Sequence, residues 1–95
     1  HTDPLYDEIK YITENCKQFC IFIDDFTVPE DKGFWTDGYS IERIKPFIKN
    51  NDTLRFYMPN YPSTDPCCSK NAVGYIIITN MNIDTFNYAK EINIY

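Results

Sequence analysis

Two adjacent carboxylates, Asp24 and Asp25, are the residues of this sequence that are best suited to chemistry. They directly follow five apolar residues at positions 19–23, and an unbroken apolar run is typical of a strand buried on both faces of a sheet. Because burying an unpaired carboxylate is costly, we expect the pair at the carboxyl end of that strand, the edge where open α/β sheets bind ligands. Carboxylate oxygens there suit a hard cation such as Mg²⁺. The alternative is that one Asp caps a turn and the other is solvated.

The histidine and the cysteines are weaker candidates for catalysis or metal binding. His1 is a candidate general base because an imidazole titrates near neutral pH, or it is a terminal residue without a role. The spacing of Cys16, Cys20, Cys67 and Cys68 fits neither a disulfide framework nor a zinc site. We therefore interpret all four as free thiols in a reducing, cytoplasmic compartment, with Cys20 buried in the first strand. A bridge from Cys16 to Cys67 or Cys68 is the alternative.

Composition restricts the classes of partner. The 95 residues are 43% hydrophobic and 17% aromatic, which predicts a single folded domain with a modest core. The formal net charge of -5 argues against binding to nucleic acid or to an anionic membrane surface. No apolar run approaches the length of a membrane-spanning helix.

Two helices are predicted around the first strand. Residues 1–17 have Asp3 as an N-cap, Pro4 at the first helical position and apolar residues at helical spacing. Residues 27–39 contain proline and glycine and predict a long loop, whose aromatic residues we expect to fold back over the sheet edge. Ser40 then caps a second helix, which Pro46 should kink or restart.

The second half predicts strands. Residues 54–58 and 72–79 are joined without a helix, which indicates an antiparallel hairpin at a sheet edge. In the tail, Asp84 is a candidate cap for a short helix through Lys90, and residues 92–95 are a candidate stub of strand. The expected fold class is α/β: a partial Rossmann-like three-layer sandwich, with parallel strands plus the antiparallel C-terminal edge hairpin. With three firm strands, residues 1–95 are expected to form one domain that is the C-terminal fragment of a larger one.

This order of elements, together with two local motifs, resembles a known family. The run LYDEI at positions 5–9 and the run IFIDDF at positions 21–26 look like the corresponding stretches of macrocin-type sugar O-methyltransferases. The chain thus resembles the C-terminal part of a class I S-adenosylmethionine-dependent methyltransferase. The resemblance implies that Asp24 and Asp25 hold Mg²⁺ and orient the acceptor, with Asp25 catalytic. It also implies that His1 matches an acid–base or acceptor-orienting position after the preceding strand.

The sequence departs from this family in one large respect. It lacks both the glycine-rich turn that receives S-adenosylmethionine and the acidic residue that holds the ribose, so the chain is expected to be incompetent alone. Three hypotheses follow. The first is the acceptor and metal side of an O-methyltransferase that acts on a sugar or small metabolite. The second is a non-catalytic remnant or protein-binding module, which pairs its open sheet edge with a second copy or with a missing N-terminal half. The third is a fragment of a metal-dependent glycosyltransferase.

Overall fold

A computed structural model describes residues 3–64, 73–85 and 88–95, which form a mixed α/β fold. Two 3₁₀ turns, Lys45–Phe47 and Asn51–Thr53, lie between the second helix and the second strand. None of the helices in these ranges is long and apolar enough to cross a membrane. In chain order the helices and strands are α1 (Pro4–Asn15), β1 (Cys20–Asp24), α2 (Ile41–Ile44), β2 (Arg55–Pro59), β3 (Tyr75–Thr79) and β4 (Ala89–Ile92).

The four strands form one sheet in the order β1-β3-β2-β4, and every neighbouring pair is antiparallel. The predicted pairing of β2 with β3 is confirmed. The predicted position of this hairpin is wrong, because β3 lies between β1 and β2 and not at an edge. Among the described strands there is also no parallel pair. The central position suits β3 because its Ile76 and Ile78 become fully buried, at 0% exposure.

The prediction that β1 is buried on both faces is also wrong. β1 is an edge strand of the described sheet, in which Ile23 is buried while Phe22 is 59% exposed and Cys20 is exposed. Successive side chains of a strand point to opposite faces. Because the outward positions of β1 are also apolar, this alternation is hidden in the sequence.

A single core cluster covers one face of the sheet. It joins Ile9 of α1 and Ile44 of α2 to the inward residues of the strands, so both described helices contribute to the same layer. The described residues therefore form two layers and not the predicted three. The cluster consists of Ile9, Ile23, Phe26, Val28, Phe34, Ile44, Ile48, Phe56, Met58, Ile76, Ile78 and Ile94.

Helix α1 begins and docks through polar contacts. The Asp3 carboxylate accepts the backbone N–H of Leu5 at 2.9 Å, which confirms the predicted cap. Near the other end, the buried Thr13 hydroxyl donates to the Ile9 carbonyl at 2.8 Å and accepts the N–H of Lys49 at 2.9 Å. Thr13 thus fastens α1 to the turn that leads towards β2. This contact was not predicted, because Thr13 is polar although it lies on the same buried face of α1 as Ile9.

The segment after the long loop behaves as its sequence indicates. Ser40 caps α2, and the α-helix gives way to a 3₁₀ turn that contains Pro46, which confirms the predicted restart. In the tail, the predicted helix from Asp84 to Lys90 is wrong, because residues 89–92 form β4. Strand β4 pairs with β2, and the stub of strand predicted at the chain end therefore begins three residues earlier than expected.

Candidate functional site

The carboxyl ends of β1 and β2 lie at the same edge of the sheet. Both strands run antiparallel to β3, so they point in the same direction although they are not neighbours. The register places Asp24 opposite Tyr75 and Pro59 opposite Ala89. We call the edge formed by these four residues the carboxyl rim. In a sheet where β1 and β2 were parallel neighbours, their carboxyl ends would also lie at one edge. The antiparallel β3 between them therefore does not change which edge the two strand ends share.

Asp24 and Asp25 lie at the carboxyl rim, where β1 ends. Asp24 is exposed, whereas Asp25 is half-buried and has a left-handed φ of 58°, a conformation that aspartate tolerates better than most residues. The N–H of Asp25 donates to the Asp24 carboxylate at 3.1 Å. Its carbonyl accepts the N–H of Asp37 at 2.9 Å and the hydroxyl of Thr36 at 3.0 Å. Asp25 therefore turns the chain out of β1 and anchors the far end of the long loop.

Asp25 differs electrostatically from an ordinary surface carboxylate. Its pKa is raised, first by desolvation and then by the negative charges of Asp24 and Asp37. A carboxylate whose pKa moves towards neutral pH is a better proton acceptor, and such shifts occur often at catalytic positions. Asp25 is therefore suited to general-base chemistry.

The assignment of Mg²⁺ to Asp24 and Asp25 stays a prediction. Within the described ranges, no group of three or more His, Cys, Asp or Glu side chains is arranged to hold a metal ion. Mg²⁺ requires near-octahedral coordination, and two neighbouring carboxylates supply only part of it. Asp24 and Asp25 thus do not make a Mg²⁺ site by themselves. His1, Cys67 and Cys68 lie outside the described residues, and Cys16 and Cys20 are free, exposed thiols.

The raised pKa of Asp25 predicts that Asp25→Asn raises the melting temperature at pH 7. A carboxyl group with a raised folded-state pKa binds its proton more readily when folded. Ionisation of Asp25 therefore destabilises the fold, and the full effect is present above the folded-state pKa. The difference in melting temperature between the variant and the wild type should vanish below the unfolded-state pKa of about 3.9. Thermal melts of both proteins at pH 7 and pH 3 measure this, with Glu14→Gln on α1 as the charge-matched control. A lower melting temperature for Asp25→Asn at pH 7 would contradict the assignment.

The long loop folds back onto the protein, as expected, but its three aromatic residues have different surroundings. Phe34 is buried in the core cluster, whereas Trp35 is 52% exposed. The Tyr39 hydroxyl donates to the Asp3 carboxylate at 2.7 Å, which raises the pKa of Tyr39 to about 12. Isolated bridges from Phe26 to Tyr39 and from Trp35 to Val73 hold the loop against the end of the sheet.

A cleft of about 440 Å³ opens at the carboxyl rim, between the first part of the loop and the segment that follows β2. The Asp31 carboxylate joins these two walls, because it accepts the N–H and the hydroxyl of Ser63, both at 2.8 Å, and the N–H of Gly33 at 3.0 Å. The cleft was not predicted; its only sequence signal is a loop that follows each of two strands. It is lined by Val28, Pro29, Glu30, Asp31, Phe34, Ile41, Met58, Pro59, Asn60, Tyr61, Pro62, Lys90, Ile92 and Asn93.

Comparison with known proteins does not assign the chain to a family. No protein-family model, no curated protein and no solved structure matches it.

Proposed function

We propose that this chain is the C-terminal portion of an S-adenosylmethionine-dependent O-methyltransferase-like domain and contributes the acceptor side of the site. The observation that supports the proposal is the carboxyl rim, where β1 ends at the Asp24–Asp25 pair and β2, which runs in the same direction, ends at the cleft. Ligands of open α/β sheets bind outside the carboxyl ends of such strands. The sequence resemblance supplies the reaction class.

The edge of β1 supports the idea that this sheet is extended by another segment. The opposite edge strand, β4, carries Lys90 and Glu91, and such charges discourage pairing with further strands. β1 has no charged residue before Asp24, and its exposed Phe22 stacks on Tyr75 with 5.1 Å between ring centroids. In the proposed domain, β1 pairs with a strand of the half that binds the methyl donor. The Rossmann-like, three-layer arrangement would be completed there.

The roles of the residues follow from their chemistry. Methylation of a hydroxyl group releases a proton, and we assign its acceptance to Asp25 because of the raised pKa of that carboxyl. Asp24 orients the hydroxyl, and His1 keeps the role that the resemblance implies. The sequence lacks the glycine-rich turn that would receive the methyl donor, so the donor would bind outside residues 1–95. A Mg²⁺ ion, where one takes part, would be held by Asp24 and Asp25 together with water or substrate oxygens. The free, exposed Cys16 and Cys20 fit the reducing environment of the cytoplasm.

The test begins with the reading frame upstream of His1, which should encode a strand followed by a glycine-rich turn. The polypeptide that includes this half is expected to bind S-adenosylmethionine in a calorimetric titration, whereas residues 1–95 alone are not. With a panel of sugar and small-molecule hydroxyl acceptors, Asp25→Asn should lower methyl transfer about 100-fold or more, and Glu14→Gln should not. An upstream sequence without the turn, or a long polypeptide that does not bind the methyl donor, would overturn the proposal.

The edge of β1 also favours a second candidate function, a non-catalytic association module. Here β1 pairs with β1 of a second copy, a common mode of strand addition. Lys17 lies just before β1, and Asp24 and Asp25 lie at its end. An antiparallel pair therefore brings Lys17 of each copy towards the carboxylates of the other, whereas a parallel pair would place like charges together.

Sedimentation measurements separate this candidate from the first. Residues 1–95 should form a dimer, Phe22→Lys should make it monomeric, and Tyr11→Lys on the exposed face of α1 should leave it unchanged. A wild-type chain that remains monomeric at about 100 μM would rule the module out. Association at that concentration requires a free energy of only roughly −5.5 kcal/mol. A monomeric chain would leave the methyltransferase proposal standing.

A further inference from the structure

We propose that the cleft at the carboxyl rim binds a small organic cation, that is, an ammonium group carried on a compact apolar body. The inference rests on the lining of the cleft and does not require methyl transfer. If the cleft also receives a methyl acceptor, that acceptor is expected to carry an amine.

The size and the walls of the cleft suit the apolar body. Its volume of about 440 Å³ lies in the range of small-molecule sites, roughly 300–1,000 Å³. Buried Phe34 and Met58 and half-buried Ile92 contribute to its lining. A ligand with an aromatic or branched aliphatic body would exchange water for these side chains, which is the main source of affinity in such pockets.

The charges that line the cleft favour a cation. Glu30 and Asp31 are acidic and Lys90 is the single basic residue of the lining, so the lining has a net negative charge. Glu30 and Lys90 form an exposed ion pair at 3.3 Å, and such pairs are easily opened. The uncompensated charge is that of Asp31. Its three hydrogen bonds lower the pKa of the carboxyl, so it stays ionised at neutral pH.

Asp31 also has room for one more donor. Oδ1 accepts two hydrogen bonds, from Gly33 and from the Ser63 hydroxyl, whereas Oδ2 accepts one, from the Ser63 N–H. A carboxylate has about four acceptor positions. One position on Oδ2 is therefore left for an ammonium N–H. The walls on either side are already fixed by the other three bonds, so little ordering is required on binding.

Aromatic rings add to the preference for positive charge. Phe34 and Tyr61 both line the cleft and meet edge-to-face, with ring centroids 5.9 Å apart. The faces of aromatic rings attract cations and disfavour anions. An organic ammonium ion thus meets a carboxylate and aromatic surface, whereas a carboxylate ligand meets repulsion from Asp31.

A titration with three compounds of one shape tests this inference on residues 1–95. The probes are 2-phenylethylammonium, the neutral 2-phenylethanol and the anionic 3-phenylpropanoate, followed by amide shifts of the ¹⁵N-labelled chain. The ammonium compound should bind about tenfold more tightly than the alcohol, with shifts concentrated at residues 28–34 and 58–62, and the carboxylate should bind most weakly. Equal affinity for the ammonium compound and the alcohol, shifts elsewhere, or no binding at millimolar concentration would each overturn the inference.

Charge variants of the exposed residues Glu30 and Lys90 give a second measurement. They leave in place the hydrogen bonds of Asp31 that hold the walls of the cleft together. Lys90→Gln removes the competing cation and should tighten binding of the ammonium compound about threefold, whereas Glu30→Gln should weaken it by a similar factor. Glu14→Gln, which does not line the cleft, should leave the affinity unchanged. Weaker or unaltered binding by Lys90→Gln would contradict the charge argument. None of these measurements involves a methyl donor, so their failure leaves the proposed function untouched.

Discussion

Replacing Phe26 with alanine is expected to lower the free energy of unfolding by roughly 3–5 kcal/mol, the usual cost of removing a buried phenyl ring. Phe26 follows the carboxylate pair directly and is fully buried, at 0% exposure. Its N–H donates to the Gly74 carbonyl at 3.0 Å, so its backbone is held in place while its ring fills the core. The backbone therefore cannot easily collapse into the cavity that the substitution leaves. Urea denaturation followed by circular dichroism measures the loss.

The matched variant is Phe26→Leu, which keeps most of the apolar volume and should cost about 1.5 kcal/mol or less. Phe22→Ala provides the comparison on the exposed face of β1, where little stability should be lost because the ring is largely in solvent. If Phe26→Ala costs no more than Phe22→Ala, the placement of Phe26 in the core is incorrect.

Gly74→Ala should be the second large loss, at roughly 1–3 kcal/mol, because it forces atoms into an already filled space. A Cβ at this position would collide with the backbone carbonyl oxygen of Phe26, which cannot turn aside. The Gly74 carbonyl accepts the N–H of Phe26, and the Gly74 N–H donates to the Trp35 carbonyl at 3.0 Å. The substitution should therefore push the start of β3 away from the chain that leaves β1.

Hydrogen exchange provides the specific measurement for this variant. The amides of Phe26 and Gly74 should lose protection in Gly74→Ala beyond the global change in stability. Gly33→Ala is the control, because a Cβ there would meet the Ser63 side chain, which can rotate at the cost of its one hydroxyl bond to Asp31, whereas a backbone carbonyl cannot. We expect a smaller loss from the control. Equal losses for the two variants would show that the backbone approach at Gly74 is not tight.

The parts of the fold that sequence predicted correctly are those encoded by neighbouring residues. Asp3 with Pro4 marks the start of α1, and Ser40 with Pro46 marks the start and the change of the second helical segment. The position of β1 in the sheet was predicted incorrectly, because strand order depends on contacts between distant residues. An apolar outward residue such as Phe22 makes an edge strand look like a central one.

In the candidate site, too, the part encoded by neighbouring residues was predicted and the part formed by distant residues was not. The placement of Asp24 and Asp25 at a strand end follows from the cost of burying carboxylates, which acts locally. The cleft could not be predicted, because its walls come from residues 28–34, Ile41, residues 58–62 and residues 90–93. The hydrogen bonds that hold these walls together, such as those between Asp31 and Ser63, join residues 32 positions apart. No local pattern in the sequence encodes such a pairing.

The insertion of β3 between β1 and β2 has a consequence for the order in which the protein acquires its structure. The Thr79 hydroxyl donates to the Phe19 carbonyl, 60 positions earlier in the chain, and contacts of such separation form slowly. We expect β2 and β3 to zip together first and β1 to join them afterwards, which pulse-labelled exchange during refolding would detect as later protection of the β1 amides. During synthesis on the ribosome, β1 therefore has no strand to pair with until most of the chain has been synthesised. The carboxyl rim forms only when β1 pairs with β3.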